Sequence, residues 1–221
     1  MEGLMLRDKS LSHEKIIRAA MDEFSEFGYD KASMRRIGQR CGLTAAALYR
    51  HFDSKEAMFE ALVEPAVTDM KKWLEAHVAA SEAAARSAAE SKGGADPEMM
   101  WNSTEVDMMR ELIYPRMDEF SMIINKAKGS KYEDFLNELV KDHQERLMPH
   151  LRKLREAGYK VKVISEDELH MLITAYCSAL FEPVAHGYSL ENALKYLSTV
   201  EEFFMPGWKN LMGFSPVNQA K

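Results

Sequence analysis

The sequence predicts an all-α protein of about nine helices, with a three-helix head followed by a longer helical body, and three observations carry this. Apolar residues recur at helical spacing almost throughout, as in Ile16, Ile17, Ala20, Phe24 and Phe27, or Leu169, Leu172, Ile173, Tyr176, Leu180 and Val184. Capping signals stand in front of such stretches: Thr44 before "AAALYR", and Ser165 with Glu168 three residues on, the spacing of a capping box. The one strand-like run, "YKVKVI" at 159–164, is short and isolated, so it reads as loop.

The elements follow in order. A first helix begins near residue 13 and stops at Gly28. Ser33 caps a short second helix with Ile37 and Cys41 inward, and Gly42 closes it in a tight turn. Thr44 caps a very short third helix with Leu48 and Phe52 inward. Asp53 or Ser54 opens a fourth, with Glu56 placed to reach back to Asp53. This helix runs past Pro65, where a kink is expected, into an alanine-rich stretch that "SKGGADP" at 91–97 breaks. Further helices are expected over about 97–113, 115–127 and 131–157, with a bend or an early end at Pro149. Two long amphipathic helices close the chain, at 166–186 and 190–212. The division expected is a head, 1–58, and a body, 59–221.

Composition narrows the function classes. At 221 residues, 46% hydrophobic and 29% charged, the chain can bury a full core and has no apolar run near the 20 or so residues that span a bilayer. No secretory signal stands at the start, and Cys41 and Cys177 match no disulfide or ligand spacing, so a cytoplasmic location is expected and no membrane partner. The formal net charge of −6 excludes a protein that coats nucleic acid with its whole surface. Its distribution is uneven. Between Lys31 and Lys55 six basic residues (Lys31, Arg35, Arg36, Arg40, Arg50, Lys55) face one acid, Asp53. Because salt screens charges beyond about 8 Å, that face can meet a polyanion whatever the distant acids do.

Two short helices joined by a turn at Gly42, the second with a small, polar exposed face, form a helix-turn-helix, whose second helix enters the DNA major groove. The stretch "IIRAAMDEFSEFGYDKASMRRIGQRCGLTAAALYRHFDSKEAMFEAL" resembles the TetR family of bacterial regulators over residues 12–60, through its Phe-Gly-Tyr, Ile-Gly, Gly-Leu-Thr, Leu-Tyr-x-His-Phe and Lys-Glu landmarks. The resemblance implies a palindromic double-stranded DNA operator and a homodimer. By it, Tyr49, His51 and Lys55 match phosphate-clamping positions, and Ser33 at the second helix's N-terminus adds another. Arg35 matches a base-reading position, and with Thr44, Ala45 and Ala46 it faces the groove. Arg36 and Arg50 are backbone contacts or solvated charges. Small side chains at Ala45, Ala46 and Ala47 let the backbone sit deep; the bland alternative is helix propensity alone. For Tyr49 and His51 the alternative is packing on the first helix. The family often has Lys and Gly where this chain has Ala45 and Ala46, which leaves specificity to Arg35, Thr44 and DNA shape.

The body carries no motif of its own. By resemblance, its last two helices form a four-helix bundle with a second subunit, for which Leu172, Ala175, Ala179, Leu197 and Phe204 are the interface candidates, intramolecular packing being the alternative. Candidates for a largely apolar effector pocket are Trp101, Met108, Met109, Phe120, Phe135, His143 and Tyr176, within a methionine-rich stretch that can equally be core. The expected function is a repressor released from its operator by a small apolar molecule; the alternative effector is a protein partner. An enzyme is disfavoured: no phosphate loop, nucleophile elbow or metal-spaced cluster appears, and Glu166, Glu168 and His170 read as the first turn of a helix. No cofactor or metal is expected.

Overall fold

The computed structural model describes residues 2–90, 104–156, 158 and 160–213, and among these it is helical with no strand. The elements are α1 (Glu2–Lys31), α2 (Met34–Cys41), α3 (Ala45–Leu48), α4 (Lys55–Glu90), α5 (Thr104–Asp107), a π-helical segment (Met108–Ile113), a 3-10 turn (Tyr114–Arg116), α6 (Met117–Lys126), α7 (Phe135–Glu156), α8 (Glu166–Ala185) and α9 (Leu190–Met212). No helix among the described residues is long and apolar enough to cross a membrane.

By packing, the chain falls into two compact units: one reaching to Lys71 and joined by Arg116–Glu133, the other made of Lys72–Pro115 and the chain from Asp134 onward. The first unit therefore takes in more than residues 1–58. Its core is a stack of Ile16, Ala20 and Phe24 from α1, Ile37 from α2, Leu48 from α3, and Met58, Phe59 and Val63 from α4, all fully buried. Burying each of the larger ones is worth about 1.5–3 kcal/mol. Phe24 meets Phe59 edge-on at 4.9 Å, and Tyr132 tilts against Phe59 at 6.0 Å.

The segment 127–133 is tied to α4 by charge. Tyr132 donates its hydroxyl to Glu64 at 2.5 Å, Lys131 pairs with Glu60 at 2.5 Å, and the Lys131 N–H donates to Glu56 at 3.2 Å. The Tyr132 hydrogen bond, ahead of Lys131, holds the Glu64 carboxyl below its ordinary range. A depressed carboxylate contributes stability that is complete above its unfolded pKa and is lost as pH falls through the folded value. Tyr132→Phe should therefore cost about 0.5–1 kcal/mol near neutral pH, a figure discounted because Glu64 is 40% exposed. Thermal melts between pH 7 and 3 should show the gap to wild type closing; a gap constant with pH would contradict this assignment.

The second unit is built on α7, α8 and α9. Leu169, Ile173, Tyr176, Leu180 and Val184 form the buried stripe of α8, and Ala193, Leu197 and Val200 that of α9. The Ser165–Glu168 capping box forms as the sequence predicts. The stretch read as loop stays loop, and its Lys162 N–H donates to the Leu211 carbonyl at 2.8 Å. Burial pushes the Cys177 thiol up to about 12, which makes it an inert core residue.

Several boundaries differ from expectation. Gly28 (φ 75, ψ 163) breaks the first helix as expected, but a further short turn follows it to Lys31. Ser54, not Asp53, caps α4 by accepting from the Ala57 N–H at 2.9 Å, and Glu56 is turned away to Lys131 and Tyr29. Pro149 neither ends α7 nor shortens it. It sits on the exposed side, where the carbonyl it leaves unbonded can turn to water while Leu147 and Leu151 anchor both flanks. The helix expected at 97–113 is, where described, the short α5 and the π segment.

Candidate nucleic-acid interface

The interface candidate is the α2–turn–α3 unit, and backbone chemistry fixes its shape. Gly42 takes the left-handed conformation (φ 74, ψ 24), which a side chain would oppose, and its N–H closes the end of α2 on Gln39 and Gly38. The Leu43 N–H then donates to the Gly38 carbonyl at 2.8 Å. Gly38 is where the turn folds back on α2: a Cβ there would lie 2.7 Å from the Leu43 carbonyl oxygen and 3.3 Å from the Thr44 carbonyl carbon. Thr44 opens α3, its hydroxyl accepting from the Ala47 N–H at 3.1 Å. Leu48 is fully buried beneath α3, and Phe52 stacks on His13 of α1 at 6.0 Å. One side of α3 is thus pinned and the other left to solvent.

A buried acid holds α2 to α1. Glu23 is wholly inside, where its Oε1 accepts the Ser33 N–H at 3.0 Å and the Arg36 Nε at 2.6 Å, and its Oε2 lies 3.4 Å from the Arg40 Nε. Arg36 also donates to the Lys31 carbonyl at 2.6 Å and lies over the Phe27 ring at 4.4 Å, while Arg40 pairs with Glu26. A charge removed from water needs partners, and here two guanidinium groups and a backbone N–H supply them. The network was missed at the sequence level, where Glu23 looks like any acid on an amphipathic helix.

Against this frame the predicted DNA-facing residues divide. Arg35, Thr44, Ala46, Tyr49, Arg50 and His51 are exposed, with Tyr49 50% accessible, so both Tyr49 and His51 keep surface open to a partner. Ala45 and Ala47 are half-buried. Ser33 sits at the N-cap position of α2; its side chain makes no cap hydrogen bond, and its backbone N–H donates to Glu23. Lys55 is turned inward: its ammonium donates to the carbonyls of Tyr29 at 2.7 Å, Asp30 at 3.2 Å and Ala32 at 3.5 Å, and lies 4.3 Å from the Tyr29 ring centroid. It closes the carbonyl end of α1, where a cation is favoured. Arg36 is likewise spent on Glu23. The open positive face is therefore narrower than the charge count implies, and centres on Arg35 and Arg50.

The effector-pocket candidates are only partly brought together. Trp101 lies outside the described residues. Phe120 is fully buried on α6 in the first unit, whereas Met108, Met109, Phe135, His143 and Tyr176 belong to the second. Burial, ahead of the nearby Arg146, lowers the His143 pKa. His170 is exposed beside Gln144, Nδ1 to Oε1 3.0 Å. Of the interface candidates, Leu172 and Ala175 are exposed and Ala179 half-buried, but Leu197 is fully buried within the subunit and Phe204 leans on Tyr176 at 5.3 Å. The i, i+3, i+4 stripe of α9 faces its own core, so Leu197 is not an interface residue. The large exposed apolar side chains on these helices are Met171, Leu172 and Phe203.

Residues 16–62 match the model for the bacterial regulatory proteins of the tetR family. Over 48 residues the chain is 44% identical to the HTH-type transcriptional repressor Rv1474c of Mycobacterium tuberculosis, covering 22% of this chain and 26% of that protein. Over 49 residues it is 43% identical to the HTH-type transcriptional regulator UidR of Escherichia coli K12, covering 22% and 25%. The chain thus spans about a quarter of the length of these curated relatives. Among solved structures, a TetR-like transcriptional regulator from Rhodococcus sp. RHA1 aligns at a TM-score of 0.52 with 14% identity, covering 91% of this chain and 96% of that one, a likeness of fold.

Proposed function

We propose that this chain is a regulator of the tetR kind, a dimeric DNA-binding repressor released from its operator by a small organic molecule. The observation that carries the reading is α3 itself, a four-residue helix whose exposed side offers Thr44 and Ala46, flanked by exposed Arg35, Tyr49, Arg50 and His51. Such a helix fits a groove about 12 Å wide with its backbone near the base edges. The Tyr49 hydroxyl and the His51 ring donate to phosphates and set the register; Arg35 reads a base. One copy touches too few bases to be selective, so two copies contact half-sites about 34–36 Å apart. The exposed Met171, Leu172 and Phe203 on α8 and α9 supply the apolar surface that pairs the subunits. A molecule that binds better to the dimer geometry with the wrong spacing releases the operator, by no more than its difference in affinity for the two states.

The test is selection of genomic fragments, the gene's own upstream region included, by the purified protein. A palindromic site should emerge. Arg35→Ala should then relax the preference at one base pair per half-site by about 1–3 kcal/mol, and Tyr49→Phe should weaken all duplexes alike. A uniform loss from Arg35→Ala, or no loss from Tyr49→Phe, would refute those roles.

A further inference from the structure

Where α5, α8 and α9 meet, the second unit holds a group of side chains whose chemistry is incomplete. Glu201, Phe204 and Trp208 stand at i, i+3 and i+7 on α9, one stripe of that helix. Tyr176 of α8 meets two of them, the Phe204 ring at 5.3 Å and the Trp208 ring edge-on at 6.3 Å. From α5, Glu105 accepts the Tyr176 hydroxyl at 2.6 Å. Two carboxylates therefore converge on three aromatic rings, and among the described residues neither has a lysine, arginine or histidine partner.

Two polar atoms here are orphaned. The Glu201 Oε1 is buried without a hydrogen-bond partner, and so is the indole Nε1 of Trp208, a residue only 6% exposed. Leaving such groups unmet in a folded interior is costly. Burial, and after it the nearby Glu105, push the Glu201 carboxyl upward, the opposite of what a structural ion pair does. Elsewhere in the protein buried or half-buried acids have a cation beside them: Glu23 has two arginines, although its Oε2 accepts no hydrogen bond, and Glu64 has Lys131 as well as Tyr132. The α5 turn that carries Glu105 runs straight into the π-helical segment Met108–Ile113, a costly conformation that concentrates at functional sites.

We propose that Glu105, Tyr176, Glu201, Phe204 and Trp208 form a binding site for an organic cation with an apolar body. The ring faces attract the positive charge, Glu201 accepts its N–H, and Glu105, with Tyr176 fixed on it, balances the remaining charge. A heteroatom on the ligand meets the indole N–H. This rests on the effector reading above and narrows it: the released-state ligand is an amine rather than a neutral hydrocarbon. Tyr176 was among the sequence-level pocket candidates; the two acids and Trp208 were not, because an acid within an aromatic helix stripe looks solvated until the packing is known.

The experiment is calorimetric titration of the full-length protein with 4-phenylbutylamine and with 4-phenylbutan-1-ol, which share a body and differ in charge. The amine should bind at least about tenfold tighter. Glu201→Gln should remove most of that preference and leave the affinity for the alcohol unchanged, with a melting temperature no lower than wild type because a like charge is gone; Glu105→Gln provides a second, independent variant. Equal affinity for the two probes, no binding of either, or an amine affinity that both variants leave intact would overturn the site. Duplex binding is followed in parallel. An amine that binds with the predicted dependence on Glu201 but leaves the duplex bound upholds the site and counts against release only; intact duplex binding with no amine affinity overturns the site and spares the DNA-binding reading.

Discussion

Replacing Gly38 with alanine should lower DNA affinity by roughly a hundredfold, the equivalent of about 3 kcal/mol, while leaving the second unit intact. The atoms a Cβ would strike at 2.7 and 3.3 Å belong to the backbone of Leu43 and Thr44, and backbone cannot swing aside as a side chain can. Alanine gains about 1 kcal/mol of helix propensity over glycine, but overpacking costs about 1–3 kcal/mol, and the strain is relieved by moving the turn that carries α3. The contacts that α3 and its flanks make to bases, worth about 1–3 kcal/mol for each good pair, are lost with it. Gly42→Ala is the control. Unlike Gly38 it sits at positive φ, which strains an alanine, but nothing lies within 4 Å of its Cβ position, so it should cost only about 1 kcal/mol of stability. Fluorescence anisotropy with the selected operator checks both, and equal losses for the two glycines would show that the close approach at Gly38 does not matter.

The second large effect is on stability. Glu23→Ala should destabilise the protein by about 3 kcal/mol: the Ser33 N–H loses its acceptor, and Arg36 and Arg40 lose the charge that gathers them. The two arginine side chains are 42% and 34% exposed and so find water, which keeps the figure at the low end of the roughly 3–5 kcal/mol of a fully buried pair. For a protein of this size that is a fall of about 6–12 °C in melting temperature. Glu23→Gln keeps an acceptor for Ser33 and should lose about half as much. If glutamine and alanine melt together, the backbone contact contributes nothing and the charge carries the whole effect.

These two positions mark where sequence reading stops. What it reached was local. Thr44 caps α3, Gly42 closes α2, Ser165 and Glu168 box the start of α8, and each is a signal confined to a few neighbouring residues. Most of the core stripes followed from period alone, although Phe27 and Leu172, which lie on them, are exposed. What it missed depends on how the chain folds back on itself, whether over five residues or seventy-five. Gly38 resembles a weak helix residue until Leu43 folds onto it; Glu23 and Lys55 resemble surface charges until Arg36 or the carbonyls of Tyr29 and Asp30 arrive. Asp53 and Glu56 have capping-box spacing, but Ser54 takes the cap and Lys131 takes the carboxylate. Leu197 lies on an apolar stripe, and a stripe does not say whether its own subunit or another covers it. The cage of Glu105, Tyr176 and Glu201 joins three helices through residues up to about a hundred positions apart, beyond any local rule.

The central claim is that the solvent-facing side of α3 lies against duplex DNA, and Ala46→Glu tests it most directly. Ala46 is exposed and meets no partner, and glutamate is a good helix former, so the melting temperature should not change. Inside a groove walled by phosphates, the added carboxylate should reduce operator affinity by more than about a hundredfold at physiological salt. A variant that melts like wild type and binds the operator as tightly as wild type would contradict the account.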